Sequence, residues 1–165
     1  MPTPAVATPA EKKPGRGPLR RDHARLAVLF ENLLGAYEED DWADVREAWT
    51  LFEAGLLGHL DAEEKAILPV FEEVDPKEAA GLRAEHDLFR TRLAELGMQV
   101  DLHVVSLEMA GAFIAALRAH AKREDGLLYD WAEWNLEPSA RAAAVDRLMD
   151  VPEASPRPRR APTSA

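Results

Sequence analysis

Six residues of this chain could bind metal: two histidines that each precede a glutamate by four positions, and two single histidines. They are His23, His59, Glu63, His86, His120 and Glu124. On a helix, a four-residue spacing places both side chains on one face. Imidazole nitrogens and carboxylate oxygens suit iron, manganese or zinc better than calcium or magnesium. Thiolate metal sites and iron–sulfur clusters are excluded, because the chain has no cysteine.

Helices are predicted to position these residues, because Ala, Leu, Glu and Arg dominate the middle of the sequence and apolar residues recur every three or four positions. We predict helices over residues 19–38, 41–73, 76–96 and 102–134, and a short fifth helix from Pro138 to about Met149. Pro69 predicts a kink late in the second helix. The predicted fold class is all-α, an antiparallel up-down-up-down four-helix bundle.

Each long segment carries an apolar stripe with alternating steps of four and three, which is typical of helices in a left-handed bundle. The six candidate ligands interrupt these stripes, so the pattern directs them to the core. A buried carboxylate costs several kcal/mol unless it is paired or ligated. Measured from the turns at about 1.5 Å per residue, the six residues lie near one level of the bundle. We therefore predict that they share a site.

Six protein ligands exceed the four of a structural zinc site and suit a pair of metal ions, with each glutamate able to bridge the two. Di-iron proteins of the ferritin type instead use a Glu-x-x-His spacing together with further glutamates. No histidine in this chain has a glutamate three residues before it. The spacing therefore weakens the ferritin-type interpretation.

The order of these motifs, H, HxxxE, H, HxxxE, resembles the hemerythrin-like HHE cation-binding domain. The segments RRDHARL, HLDAEEKAILPVFE, AEHDLFR and HAKREDGLLYDWAE are similar to that family as well, and the resemblance covers about residues 19–136. It implies a non-haem centre of two iron ions, oxo- and carboxylate-bridged through Glu63 and Glu124, that binds dioxygen, peroxide or nitric oxide. Iron is implied ahead of manganese or zinc.

Arg90 departs from the family's pattern. Oxygen-carrying hemerythrins have a second histidine four residues after the one in the third helix, and Arg90 stands at that place. Arginine stays protonated and cannot ligate iron. We expect Arg90 either to be a surface cation on the flank of the helix or to hydrogen-bond a bridging carboxylate or bound peroxide. The departure favours redox chemistry or iron sensing over simple oxygen carriage.

Other polar and aromatic residues near these motifs are predicted to lie outside the ligand set. His103 falls in or beside the third connection and is interpreted as a non-ligand. We expect Glu64 and Asp125 to face solvent or, alternatively, to hydrogen-bond a ligand histidine. Core and bundle-end packing, rather than an electron relay, is expected of Trp42, Trp49, Trp131 and Trp134.

Composition favours one domain, since 47% of the 165 residues are hydrophobic. We predict Pro-rich disordered termini at 1–18 and 151–165, a bundle at 19–136 and a short helix at 137–150. The net charge of −10 leaves −16 for residues 22–150, because both ends are basic. Such an acidic core predicts no nucleic-acid partner and no membrane partner. The tails identify no partner of their own.

No apolar stretch is long enough for a membrane span or a signal peptide, so a cytoplasmic location is expected. Three functions stay open. The first is a di-iron protein that binds or reacts with these small ligands in sensing, detoxification or iron handling. The second is an enzyme that consumes peroxide or repairs nitrosative damage at the same centre. The third is a metal-free helical interaction module whose basic tails dock to a partner.

Overall fold

The computed structural model describes residues 18–149, and every regular element in that range is helical, which confirms the predicted all-α class. The helices are α1 Pro18–Glu38, α2 Trp42–Ala66, α3 Leu68–Glu72, α4 Pro76–Asp101, α5 Leu107–Gly126, α6 Leu128–Asn135 and α7 Pro138–Met149. The tails that we predict to be disordered lie almost entirely outside the described residues. None of the described helices is long and apolar enough to cross a membrane.

The three longest helices after α1 each begin at a side chain that accepts a hydrogen bond from the backbone of the first turn. Asp41 caps α2, Asp75 caps α4 and Ser106 caps α5, each by accepting from the backbone N–H three residues on. α1 packs against α2, α2 against α4, and α4 against α5. The C-terminal α7 lies against α2 and α1.

The apolar core forms two clusters that are separated along the helices by the predicted ligands. The first cluster contains Phe52, Phe89 and Phe113, among other residues. The second contains Phe71, Leu82 and other residues of α2, α3, α4, α6 and α7. Along α4 the second cluster precedes the ligand position and the first follows it, whereas the order is reversed along α2 and along α5 with its continuation α6. The site therefore lies in a polar layer between two dry layers.

Gly55 allows α1 and α2 to approach closely, one turn before the α2 ligands. A Cβ atom at this position would lie 2.8 Å from Leu29 Cδ1 and 3.3 Å from Leu26 Cδ2. Both leucines are buried, so they have little room to move. Because Gly55 has no side chain, the two helices that carry His23 and His59 can lie this close together.

The second helix is not continuous to residue 73 as predicted, because it breaks at Ile67 into α2 and α3. Pro69 explains the break, since its ring excludes the carbonyl four residues earlier and it has no N–H to donate. After the break Ile67, Leu68 and Phe71 are buried, whereas Val70 on the predicted stripe is 39% exposed. The break therefore shifts which residues face the core.

The fourth helix also breaks, although its apolar pattern predicts a continuous helix. Leu127 has φ −125° and ψ −69° and separates α5 from α6, directly after the poor helix former Gly126. Leu128, Tyr129 and Ala132 face the core beyond the break. Predicted stripe residues turn outward instead, with Leu127 37% and Trp134 71% exposed. The prediction that Trp134 packs in the core is therefore wrong.

The third connection lies later than predicted. α4 continues through Gly97 to Asp101, and the Trp49 indole packs where a side chain at Gly97 would be, with Nε1 3.2 Å from the place that a Cβ atom would take. α5 begins at Leu107 rather than at residue 102, after the Ser106 cap. His103 lies in the connection with φ 58°, and its ring stacks on Trp42 at 4.4 Å.

Candidate metal centre

The structure brings all six predicted ligand residues together in the polar layer. They form two groups whose donor atoms lie within 4.8 Å of one another. One group is His23, His59, Glu63 and Glu124, and the other is Glu63, His86, His120 and Glu124. Each group thus has two histidines from different helices, and the two glutamates belong to both. α1, α2, α4 and α5 each contribute at least one of these residues.

The histidines direct their Nε2 atoms to the centre of the layer. His120 Nε2 lies 2.8 Å from Glu124 Oε1, and His86 Nε2 lies 3.4 Å from an oxygen of each glutamate. On the other side, His23 Nε2 is 3.2 Å from Glu124 Oε2. The Nε2 atoms of His86 and His120 face each other at 3.1 Å. Carboxylate oxygens and imidazole nitrogens therefore meet in a small volume, where few hydrogen atoms are available for hydrogen bonds between them.

The glutamates are the most deeply buried members of the site, and each has an oxygen without a partner. Glu63 and Glu124 have no exposed surface, and the Oε2 atom of each accepts no hydrogen bond from the described residues. An orphaned buried carboxylate oxygen is costly and rare. A cation bound between the two groups would satisfy both atoms, so the residues present fit a metal.

The pKa values of the two buried glutamates are shifted in opposite directions. Burial and the neighbouring charge of Glu124 raise the pKa of Glu63 well above its usual range. Burial acts in the same direction on Glu124, but the neighbouring imidazoles of His120, His23 and His59 outweigh it and place the pKa of Glu124 well below its usual range. The pKa values of the two carboxyls are therefore shifted apart, as expected for like charges buried side by side.

Every predicted ligand histidine is held from behind by a carboxylate at Nδ1. The pairs are His59 with Asp22 at 2.8 Å, His120 with Glu85 at 2.5 Å, His86 with Glu64 at 3.0 Å and His23 with Asp125 at 3.1 Å. Such partners fix the ring orientation and the tautomer, and they raise the basicity of the nitrogen that faces the metal. The arrangement is typical of imidazoles that ligate a metal through Nε2.

An arginine lies within ion-pair distance of each of these outer carboxylates. Arg25 Nε bonds Asp22 at 2.6 Å, and Arg90 bonds Glu64 through two nitrogens. The other two pairs are Arg123 with Glu85 and Arg20 with Asp125, the latter at 3.8 Å. Two of these arginines are shared, because Arg123 also pairs with Glu78, and Arg20 also pairs with Asp130 and Glu133. The centre is therefore surrounded by four His–carboxylate–Arg chains.

Arg90 lies on the flank of α4 with 32% of its side chain exposed, which agrees with one of the two expectations for it. It donates hydrogen bonds to both oxygens of Glu64 and does not reach the central carboxylates. Glu64 is only 23% exposed and bonds His86, so the expectation that it faces solvent is wrong and the alternative is confirmed. Burial raises the pKa of Glu64, but the hydrogen bonds from the Arg90 guanidinium outweigh burial and hold this pKa below its usual range. Asp125 likewise bonds a ligand histidine, His23, while staying 40% exposed.

Tyr129 is a site residue that the sequence pattern did not indicate. Its side chain is fully buried, and its hydroxyl donates a hydrogen bond to Glu63 Oε1 and lies 3.4 Å from His23 Nε2. Burial and the charge of Glu63 raise the pKa of Tyr129 well above its usual range, so the phenol keeps its proton as a donor. Tyr129 lies five residues after Glu124, whereas the residue five positions after Glu63 is Leu68. The two halves of the site therefore differ at this position.

All four outer carboxylates have a signal in the sequence, although only Glu64 and Asp125 were proposed from it as partners of a ligand histidine. An acidic residue directly precedes the histidine on α1 and α4, and an acidic residue directly follows the glutamate on α2 and α5. These residues are Asp22, Glu85, Glu64 and Asp125. This repeated order matches the pairing in space, where each carboxylate reaches a histidine on a neighbouring helix. Asp22 and Glu85 could have been proposed on that ground, whereas Tyr129 depends on the break at Leu127.

Fold and site together define a helical metal-binding protein with a histidine and carboxylate centre. The family model of the hemerythrin HHE cation-binding domain matches residues 17–132. The chain belongs to this family. Searches of curated proteins and of solved structures gave no match.

Proposed function

We propose that the chain is a non-haem di-iron protein that binds or reacts with dioxygen, peroxide or nitric oxide, with His23, His59, Glu63, His86, His120 and Glu124 as its ligands. The observation that carries this proposal is that two donor groups share both glutamates. Shared carboxylates suit two ions held side by side, since each oxygen can face a different ion. The alternating order of the two apolar clusters supports an antiparallel up-down-up-down bundle around the site.

The donor set suits iron, manganese or zinc, and the resemblance to the HHE family favours iron among them. Two imidazoles and two carboxylates for each ion have intermediate hardness, and a structural zinc site would be closed by four ligands of its own. A pair of iron ions would supply an open coordination position and the electrons for reaction with a small oxidant. Oxo- and carboxylate-bridged iron is therefore proposed ahead of manganese or zinc.

Residues of the chain perform three tasks in this proposal. The four outer carboxylates hold the imidazoles in the tautomer that presents Nε2. Tyr129 orients Glu63 by donating to one of its oxygens, which leaves the other oxygen for the metal. The two apolar clusters exclude water from both ends of the layer. Arg90 acts only through Glu64, so we assign it no contact with a bound ligand.

Metal analysis of protein purified without chelator tests the proposal, together with absorption spectra of the reduced protein before and after air. We expect about two iron ions per chain and a new near-ultraviolet band in air. His59→Ala should lower the metal content, while the matched variant His103→Ala, outside the site, should not. Absence of iron, or full metal content in His59→Ala, would favour the metal-free interaction module instead.

Turnover separates a binding protein from an enzyme at the same centre. Repeated consumption of peroxide or nitric oxide by substoichiometric protein would assign an enzyme, and stoichiometric reversible binding would assign a sensor or carrier. The cytoplasmic location and the absence of nucleic-acid and membrane partners stay predictions from the sequence.

A further inference from the structure

A cavity of about 120 Å³ lies between α1, α2 and α5 and ends at the candidate metal centre. Three ligand histidines, His23, His59 and His120, form its inner end. They include members of both donor groups. Its side walls are apolar and include Leu26, Phe30, Phe52, Leu56, Ile114 and Leu117. A molecule in this cavity would therefore touch hydrocarbon along its sides and metal ligands at one end.

The size of the cavity exceeds what a diatomic ligand needs. Dry apolar protein cavities of about 150 Å³ bind benzene, which has six heavy atoms. By that standard, 120 Å³ suits a neutral molecule of about five or six heavy atoms. Dioxygen or nitric oxide would leave most of the apolar wall without contacts, which costs dispersion energy.

Charge is confined to the outer rim of the cavity. Among the lining residues, Glu31 and Arg118 carry a carboxylate and a guanidinium, and they face each other at 3.9 Å with exposures of 64% and 72%. The walls between this rim and the histidines offer no compensation for a charged ligand, so desolvation disfavours ions. A compatible ligand is neutral and apolar along its length, with its polar atoms at the inner end.

We infer that this cavity binds a small organic hydroperoxide, with the alkyl group against Leu26, Phe30 and Leu117 and the hydroperoxide group at the inner histidines. Reduction breaks the O–O bond, takes up two electrons and two protons, and yields the alcohol and water. A pair of ferrous ions held by the six candidate ligands would supply the two electrons, one from each ion, and solvent would supply the two protons. The redox step rests on the proposed function, whereas the binding of an apolar molecule does not.

Xenon tests the cavity independently of any reaction, because it binds dry apolar cavities whatever metal is present. Crystals of the metal-loaded protein under xenon pressure are expected to show a xenon atom between Phe30 and Leu117. Leu117→Trp, which adds bulk to the wall, should abolish this site. Leu102→Trp, at an exposed residue of the third connection that lines none of the described cavities, is the matched control and should retain it.

Stopped-flow oxidation of the reduced iron-loaded protein tests the ligand class. We expect Leu117→Trp to slow oxidation by tert-butyl hydroperoxide about tenfold or more. Oxidation by hydrogen peroxide should change less than about twofold in that variant. Phe30→Leu, which enlarges the cavity, should accelerate oxidation by the bulkier cumene hydroperoxide. A general defect in folding would slow oxidation in both variants, so a faster reaction in Phe30→Leu excludes that explanation.

Three results would overturn the inference: no xenon in the wild-type cavity, an equal loss of rate with both peroxides in Leu117→Trp, or no effect of either cavity variant on organic hydroperoxides. Iron content is measured in every variant. Wild-type protein with bound xenon but without iron would instead refute the proposed function, so the two failures are distinguishable.

Discussion

Arg90 and Glu64 form a two-point ion pair, with hydrogen bonds of 2.8 and 2.9 Å from the two guanidinium nitrogens to the two carboxylate oxygens. The same carboxylate bonds His86 Nδ1 at 3.0 Å. Arg90 stands where oxygen-carrying relatives have a further histidine, and here it stabilises a ligand histidine from the outside.

Glu64→Ala should weaken metal binding, because His86 loses the carboxylate that orients it. Removal of such an outer partner typically costs about 10-fold to 100-fold in metal affinity. Arg90→Ala should cost less, since Glu64 still bonds His86. Competition with a chromophoric chelator measures both affinities. Arg92→Ala, which removes an exposed arginine paired with Glu95, is the matched control and should leave the affinity unchanged. Equal affinities in Glu64→Ala and wild type would refute the role of the pair.

Metal removal should destabilise the protein, because the buried carboxylates lose the cation that satisfies them. A metal at 1,000 times its dissociation constant stabilises the folded state by about 4 kcal/mol. Chelation should therefore lower the melting temperature of wild-type protein by several degrees, and His103→Ala should respond in the same way. His59→Ala should respond less to chelator because its site is incomplete. Calorimetry measures the melting temperatures of all three proteins. A wild-type melting temperature that does not change with chelator would argue against the site.

Tyr129→Phe should leave Glu63 Oε1 without its donor and so reduce stability more than activity. Loss of a buried partner costs about 1–3 kcal/mol. We expect the iron to be retained and the free energy of unfolding to fall by that amount, measured by urea denaturation of the metal-loaded protein. Tyr37→Phe, whose ring packs against Trp42 away from the site, serves as the comparison. A similar loss in the two variants would mean that the bond between Tyr129 and Glu63 contributes little.

Gly55→Ala should be less stable than Gly35→Ala by at least about 1 kcal/mol, although both replace glycine with a better helix former. At Gly35 a new Cβ meets nothing within 4 Å, so stability should rise by about 0.5–1 kcal/mol. At Gly55 it meets Leu29 Cδ1 at 2.8 Å, and overpacking offsets that gain. Thermal unfolding of the two variants compares them directly. Equal stabilisation would show that α1 and α2 can separate freely.

The sequence by itself determined the helical class and the six residues that meet at the centre. Both follow from local periodicity: apolar steps of three and four predict helices, and polar residues such as Glu63 on those stripes must be buried. Counting residues from the turns was enough to place His23, His59 and His86 at one level, because helix rise is nearly constant.

Only the tertiary structure decided the surroundings of those six residues. The breaks at Ile67 and Leu127 shift the helical phase, and one of them turns Tyr129 inward while Trp134 turns out. Asp22 reaches a histidine on another helix, which no spacing within one helix reveals. Sequence periodicity specifies a face only while a helix is unbroken, and contacts between helices depend on how the helices pack. For that reason the ligand residues, and a supporting role for Glu64 and Asp125, could be proposed from the sequence, whereas Tyr129, which lies beyond a helix break, could not.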